Sequence, residues 1–128
     1  MSDYTVKNLM EIENAAADRG DEFEARFGRK HLDSQHLGVT YLRYGPGYRS
    51  PLGHRHREQE EAYVVVSGSG RAKLDEDIVE LRRWDVLRVA PPVARAFEAG
   101  PDGLTLIAIG SDRPEGGDGE RVEGHWTE

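Results

Sequence analysis

His54-Arg55-His56-Arg57-Glu58-Gln59-Glu60-Glu61-Ala62-Tyr63-Val64-Val65-Val66 is the stretch that decides the fold. In an extended strand, side chains two apart project from one face, so the imidazoles of His54 and His56 converge on one point. Glu61 follows His56 at an odd offset and cannot share that strand's face. The chain must therefore turn within the polar Arg57-Glu58-Gln59 and present Glu61 from the next strand. The β-branched and aromatic residues 62–66 form that second strand and lead into Ser67-Gly68-Ser69-Gly70, which reads as a hairpin. Two neutral imidazoles and one carboxylate suit a divalent transition metal: iron, manganese, nickel, copper or zinc.

Short strands and turns continue on both sides of this stretch. Leu37, Val39 and Tyr41 alternate with Gly38, Thr40 and Leu42 before the turn at Gly45-Pro46-Gly47. Residues 71–74, 78–81, 86–89, 95–98 and 104–109 are further strand-like runs. Such regular spacing indicates a β-sandwich or barrel rather than a βαβ sheet. Residues 8–18, rich in alanine and acids, have the periodicity of a short helix with Leu9, Ile12 and Ala16 inward. Residues 111–124 are dominated by Gly, Asp, Glu and Arg and read as a flexible tail whose end Trp126 can anchor.

The run from Gly47 to Gly68 resembles the first conserved motif of the cupin superfamily: Gly47, His54, His56, four residues, Glu61, six residues, Gly68. Its first spacer is one residue longer than the usual five. The resemblance implies an all-β, antiparallel jelly-roll barrel in which His54, His56 and Glu61 point inward and hold a metal ion. On this reading residues 1–35 are an N-terminal arm packed on the barrel, 36–110 are the barrel, and 111–128 are a polar tail. The resemblance also implies a homodimer.

The second cupin motif departs from its pattern. Over residues 84–97, Trp84, Ala90, Pro92 and Arg95 stand where the family usually has Gly, Pro, Gly and the fourth ligand, His. A guanidinium carries only donors and stays protonated, so Arg95 cannot ligate metal. Three consequences are open: a three-ligand centre with positions left for substrate, a lost metal, or Arg95 as a fork for a substrate carboxylate or phosphate. Alternation puts Tyr63 and Val65 on the face of Glu61 and Phe97 on that of Arg95, so these are expected to line the cavity. The Tyr63 phenol is a candidate donor to substrate. His31, His36 and His125 have no partner at ligand spacing and stay outside the site.

The 128 residues fit one domain, and the absence of cysteine excludes disulfides, thiolate metal sites and a cysteine nucleophile. A net charge of −7 argues against a nucleic-acid partner, and Arg82-Arg83 and residues 26–30 read as solvated surface. No secretory signal or membrane-spanning run is recognisable, which fits a cytoplasmic protein. The leading reading is a metal-binding cupin, an oxygenase or isomerase acting on a small acidic substrate with Tyr63 and Arg95 as catalytic residues. The alternatives are a non-catalytic ligand-binding or sensing cupin, and a metal-free one similar to sugar-nucleotide epimerases.

Overall fold

Apolar residues on alternate positions make strands here because one side of each closes on a shared interior. The structure, a computed structural model, describes residues 3–126. Positions 1–2 and 127–128, the extremes of the expected arm and tail, lie outside the described residues. Among those described, the strands in chain order are β1 (Phe23–Phe27), β2 (Gly38–Tyr44), β3 (Gly53–His56), β4 (Glu61–Leu74), β5 (Asp77–Arg82), β6 (Val86–Val89), β7 (Arg95–Gly110) and β8 (Gly119–Val122). All pair antiparallel, in the order β1-β2-β7-β3-β8, with β4 joined to β5, β6 and β7.

The long strands β4 and β7 pair along both of their halves, and the sheet curls into the jelly-roll barrel that the sequence predicts. Its interior is closed by side chains. Tyr63 and Phe97 have ring centroids 4.8 Å apart, Tyr44 and Phe97 6.0 Å, and Val65, Leu104 and Leu106 fill the remaining space.

Several local expectations need correction. Ser67-Gly68-Ser69-Gly70 is not a hairpin: it lies inside β4, where the pairing with β7 shifts register between Gly68 and Gly70. Gly68 has φ +75°, and a Cβ there would stand 2.0 Å from the Gly103 carbonyl oxygen, so glycine marks a bulge at which the strand bends. The expected helix over residues 8–18 is two single 3-10 turns, Leu9–Glu11 and Ala17–Arg19. Asn8 and Asn14 side chains accept backbone N–H groups there, competing with a continuous helix. Ile12 and Ala16 are buried, and Leu9 is half-buried.

Residues 119–122 do not trail away. They pair with β3 as β8, and beyond them buried His125 packs on Gly53, where a Cβ would come within 2.9 Å of its ring. Trp126 lies beneath Arg49, whose guanidinium carbon is 4.4 Å from the ring centroid. Residues 26–30 are likewise more than solvated surface: Arg26 bonds the Ile12 carbonyl at 2.5 Å, and Arg29 bonds the Ser111 carbonyl at 2.7 Å.

Candidate metal centre

Strand β3 carries His54 and His56 on one face, and β4 begins at Glu61 after the turn of residues 57–60. Their ligand atoms lie within 4.8 Å of one another, the only such group of His and acidic residues among those described. The point of convergence is Glu61 Oε1. His56 Nε2 is 3.2 Å from it and His54 Nε2 is 3.7 Å away, with the two rings nearly perpendicular at 86°. Burial disfavours the Glu61 carboxylate, but the His54 and His56 imidazoles beside it and the hydrogen bond from Tyr63 outweigh that cost and hold its pKa well below the carboxylate range.

His56 is fixed from behind by a residue that the sequence reading missed. Asp118, fully buried just before β8, accepts from His56 Nδ1 at 2.8 Å. The same carboxylate accepts from the backbone N–H groups of Glu58 at 2.7 Å and Gln59 at 2.9 Å, and from Gln59 Nε2 at 2.8 Å. These bonds overcome the cost of burial and keep Asp118 ionised, its pKa well below the usual range. An ionised carboxylate can only accept, so Nδ1 carries a proton and the ring is set with Nε2 toward Glu61; the Glu61 carboxylate, and Asp118 behind, raise the His56 pKa against the cost of burial. His56 Nε2 is buried and has no hydrogen-bond partner. A carboxylate behind a histidine whose far nitrogen is left open is the arrangement that orients metal ligands, and the donor set fits a divalent ion.

Tyr63 and Arg95 also converge on Glu61. The Tyr63 hydroxyl donates to Glu61 Oε1 at 2.5 Å. Arg95, on β7 directly across from His54, is fully buried; its Nε is 3.9 Å from the same oxygen and makes no hydrogen bond. Its terminal nitrogens face the carbonyls of Val89, Ala90 and Pro91 at 3.2–3.5 Å, so the guanidinium is held inside the wall. The remaining histidines are engaged elsewhere: His31 with Glu13 at 3.3 Å, His36 with Asp112 at 2.9 Å, and His125 with the Lys73 carbonyl at 3.0 Å.

A cleft of about 400 Å³ opens over this centre. His56 and Glu61 form part of its lining, together with Arg29, Lys30, Thr40 and Arg113. Tyr63, Val65 and Phe97 do not line it. They share the predicted inward face, but that face is packed solid as the core beneath the metal centre. The cationic lining comes from segments read as surface or tail, which the β1–β2, β2–β7 and β3–β8 pairings bring together.

No family model matches the chain, and no curated protein matches it. Solved structures do match its fold. A cupin protein from Bacteroides fragilis is similar at TM-score 0.67 and 21% identity, covering 100% of this chain and 91% of that one. A variant of oxalate decarboxylase from Bacillus subtilis is similar at TM-score 0.76 and 19% identity, covering 92% of this chain and 33% of that one. A putative sugar phosphate isomerase from Acidithiobacillus ferrooxidans is similar at TM-score 0.61 and 23% identity, over 70% of this chain and 59% of that one. The chain thus spans a third of the decarboxylase and under two thirds of the isomerase.

Proposed function

Starting from the cupin fold, we propose that this chain is a metal-dependent cupin acting on a small molecule, with His54, His56 and Glu61 holding one divalent transition metal. The observation that carries the reading is the buried, unpartnered His56 Nε2, set toward Glu61 by the bond of Nδ1 to Asp118. When bound, the ion supplies a Lewis acid for polarising a substrate oxygen. The chain's own groups prepare the site. Asp118 holds the imidazole tautomer, and Tyr63 donates to the Glu61 oxygen nearest the histidines. Arg95 acts through Glu61 as a positioning residue, since its guanidinium is sealed from the cleft. The cleft gives a small substrate access to the histidine and carboxylate side of the site.

Among the similar folds, one is named a decarboxylase and another a sugar phosphate isomerase, which supports small-molecule chemistry without choosing the reaction. Isomerisation and oxygenation remain the classes to screen first. One observation favours a second reading, a metal-free ligand-binding cupin: the fixed charge of Arg95 lies 3.9 Å from the carboxylate oxygen that an ion would use. A homodimer belongs to the same proposal. Its support is the outer edge of β5, which pairs only with β4 and leaves Ile78 exposed.

Turnover of small acids and phosphorylated sugars, followed with and without chelator and in His56→Ala, tests the reading. Loss of turnover in both arms, restored by metal only in the wild type, is expected. Turnover that survives both removes the ion from the mechanism.

A further inference from the structure

Three cations line the cleft, and among the described residues no carboxylate comes within ion-pair distance of Arg29, Lys30 or Arg113. Arg29 is the one that is built in. Its Nη2 donates to Gln59 Oε1 at 3.1 Å and to the Ser111 carbonyl at 2.7 Å. Gln59 in turn donates to Asp118, so Arg29 is wired through one amide into the network that orients His56.

Two glycines make room for this guanidinium. Gly38 and Gly110 are cross-strand partners on β2 and β7, and neither has a positive φ, so the backbone alone does not demand glycine at either position. A Cβ on Gly38 would stand 2.6 Å from Arg29 Nη2 and 3.0 Å from its Nε and central carbon. A Cβ on Gly110 would stand 2.8 Å from Gln59 Oε1, with Arg29 Nη2 at 3.6 Å and Glu61 Oε2 at 3.8 Å. The guanidinium and the ligating carboxylate therefore flank the same bare patch of sheet. Burial lowers the Arg29 pKa and the Arg113 charge pushes it the same way, while Asp112, Asp118 and Glu61 pull it up.

Resting on the metal-centre reading above, we infer that Arg29, assisted by Arg113 and Lys30, binds the oxyanion of a small substrate, a carboxylate or phosphate, in the cleft beside Glu61. Arg29 is then the specificity-determining residue, taking the anion-gripping part that sequence reading gives to Arg95. A guanidinium braced on one nitrogen keeps its remaining donors in a planar fork, the geometry that oxyanions match. Fixing one end of the substrate this way orients the other toward the ligand triad.

Calorimetric titration of untagged full-length protein with malonate, and separately with inorganic phosphate, decides the question. Wild type, Arg29→Gln, Gly38→Ala and Arg113→Gln are each loaded with manganese and assayed for metal content. Gly38→Ala keeps the charge but displaces the guanidinium, so it tests seating independently of charge removal. Arg29→Gln and Gly38→Ala are expected to keep wild-type metal content and to bind the tighter of the two anions about tenfold more weakly, with a smaller loss for Arg113→Gln. A preference for malonate assigns a carboxylate, and a preference for phosphate assigns a phosphoryl group. Unchanged anion affinity in metal-loaded Arg29→Gln, or no binding of either anion by loaded wild type, overturns the inference. If the protein takes up no metal, the metal-centre reading fails, and Arg29-dependent binding by the metal-free chain still decides this one.

Discussion

Replacing Asp118 by Asn keeps the shape of the group behind His56 and removes its ability to accept from four donors. Oδ1 accepts from His56 Nδ1 and Gln59 Nε2, and Oδ2 from the backbone N–H groups of Glu58 and Gln59. An amide turns one of these oxygens into a donor, so whichever way it is flipped two buried donors lose their acceptor. At about 1–3 kcal/mol each, the metal-free protein should lose roughly 2–6 kcal/mol of stability. With the amide nitrogen toward His56, the ring escapes the conflict only by moving its proton to Nε2, the atom that an ion needs. Metal affinity should then fall about 10- to 100-fold, or roughly 1.4–2.7 kcal/mol. Competition against a chromophoric chelator measures the affinity, and urea unfolding of the metal-free protein measures the stability. An Asp118→Asn protein that binds metal as tightly as wild type would refute the tautomer lock, whatever its stability.

Gly68→Ala forces a Cβ to 2.0 Å from the Gly103 carbonyl at φ +75°, and urea unfolding should show a loss of about 3 kcal/mol or more. A loss under about 1 kcal/mol would mean that the bulge is not where β4 is constrained. Trp84 also has φ +75°, but it is 63% exposed, with the Arg83 guanidinium carbon 5.0 Å from its ring centroid, so Trp84→Gly should raise stability by roughly 0.5–1 kcal/mol. A lower melting temperature in that variant would assign the indole a packing role that this account lacks. Glu24, hydrogen-bonded first by Arg43 and also by Arg26, has a pKa below the usual range. A depressed carboxylate stabilises the fold above its unfolded pKa and loses that contribution as pH falls through the folded value. Thermal melts from pH 7 downward should therefore fall less steeply below about pH 4.5 for Glu24→Gln than for wild type, and identical slopes would dismiss the pair.

How far the site could be read from the chain follows from where its parts sit. His54, His56 and Glu61 lie within one turn and its two strands, so offset parity alone places them together. Asp118 is 62 positions from His56 and sits in a run of Gly, Asp, Glu and Arg that has no apolar alternation. Strand β8 is held by its ladder with β3, and most of its side chains are exposed, so periodicity has nothing to report there. By contrast, β1 did carry a signal: Phe23, Ala25 and Phe27 alternate, although charged neighbours and the nearby acidic arm mask it. The Gly68 run misleads because glycine clusters serve both turns and bulges, and only the opposing strand distinguishes them. Arg95 shows the complementary case. Its spacing puts it in the right place, while its partners, three carbonyls and one distant carboxylate, depend on how residues 89–91 fold back.

Elemental analysis of the protein purified without a histidine tag tests the three-ligand centre most directly, with His54→Ala/His56→Ala prepared alongside. About one divalent transition metal per chain is expected in the wild type, as purified or after incubation with iron, manganese, nickel or zinc, and none retained by the double variant. Wild-type protein that stays metal-free through those incubations would contradict this, and would mean that the fixed charge of Arg95 excludes the ion.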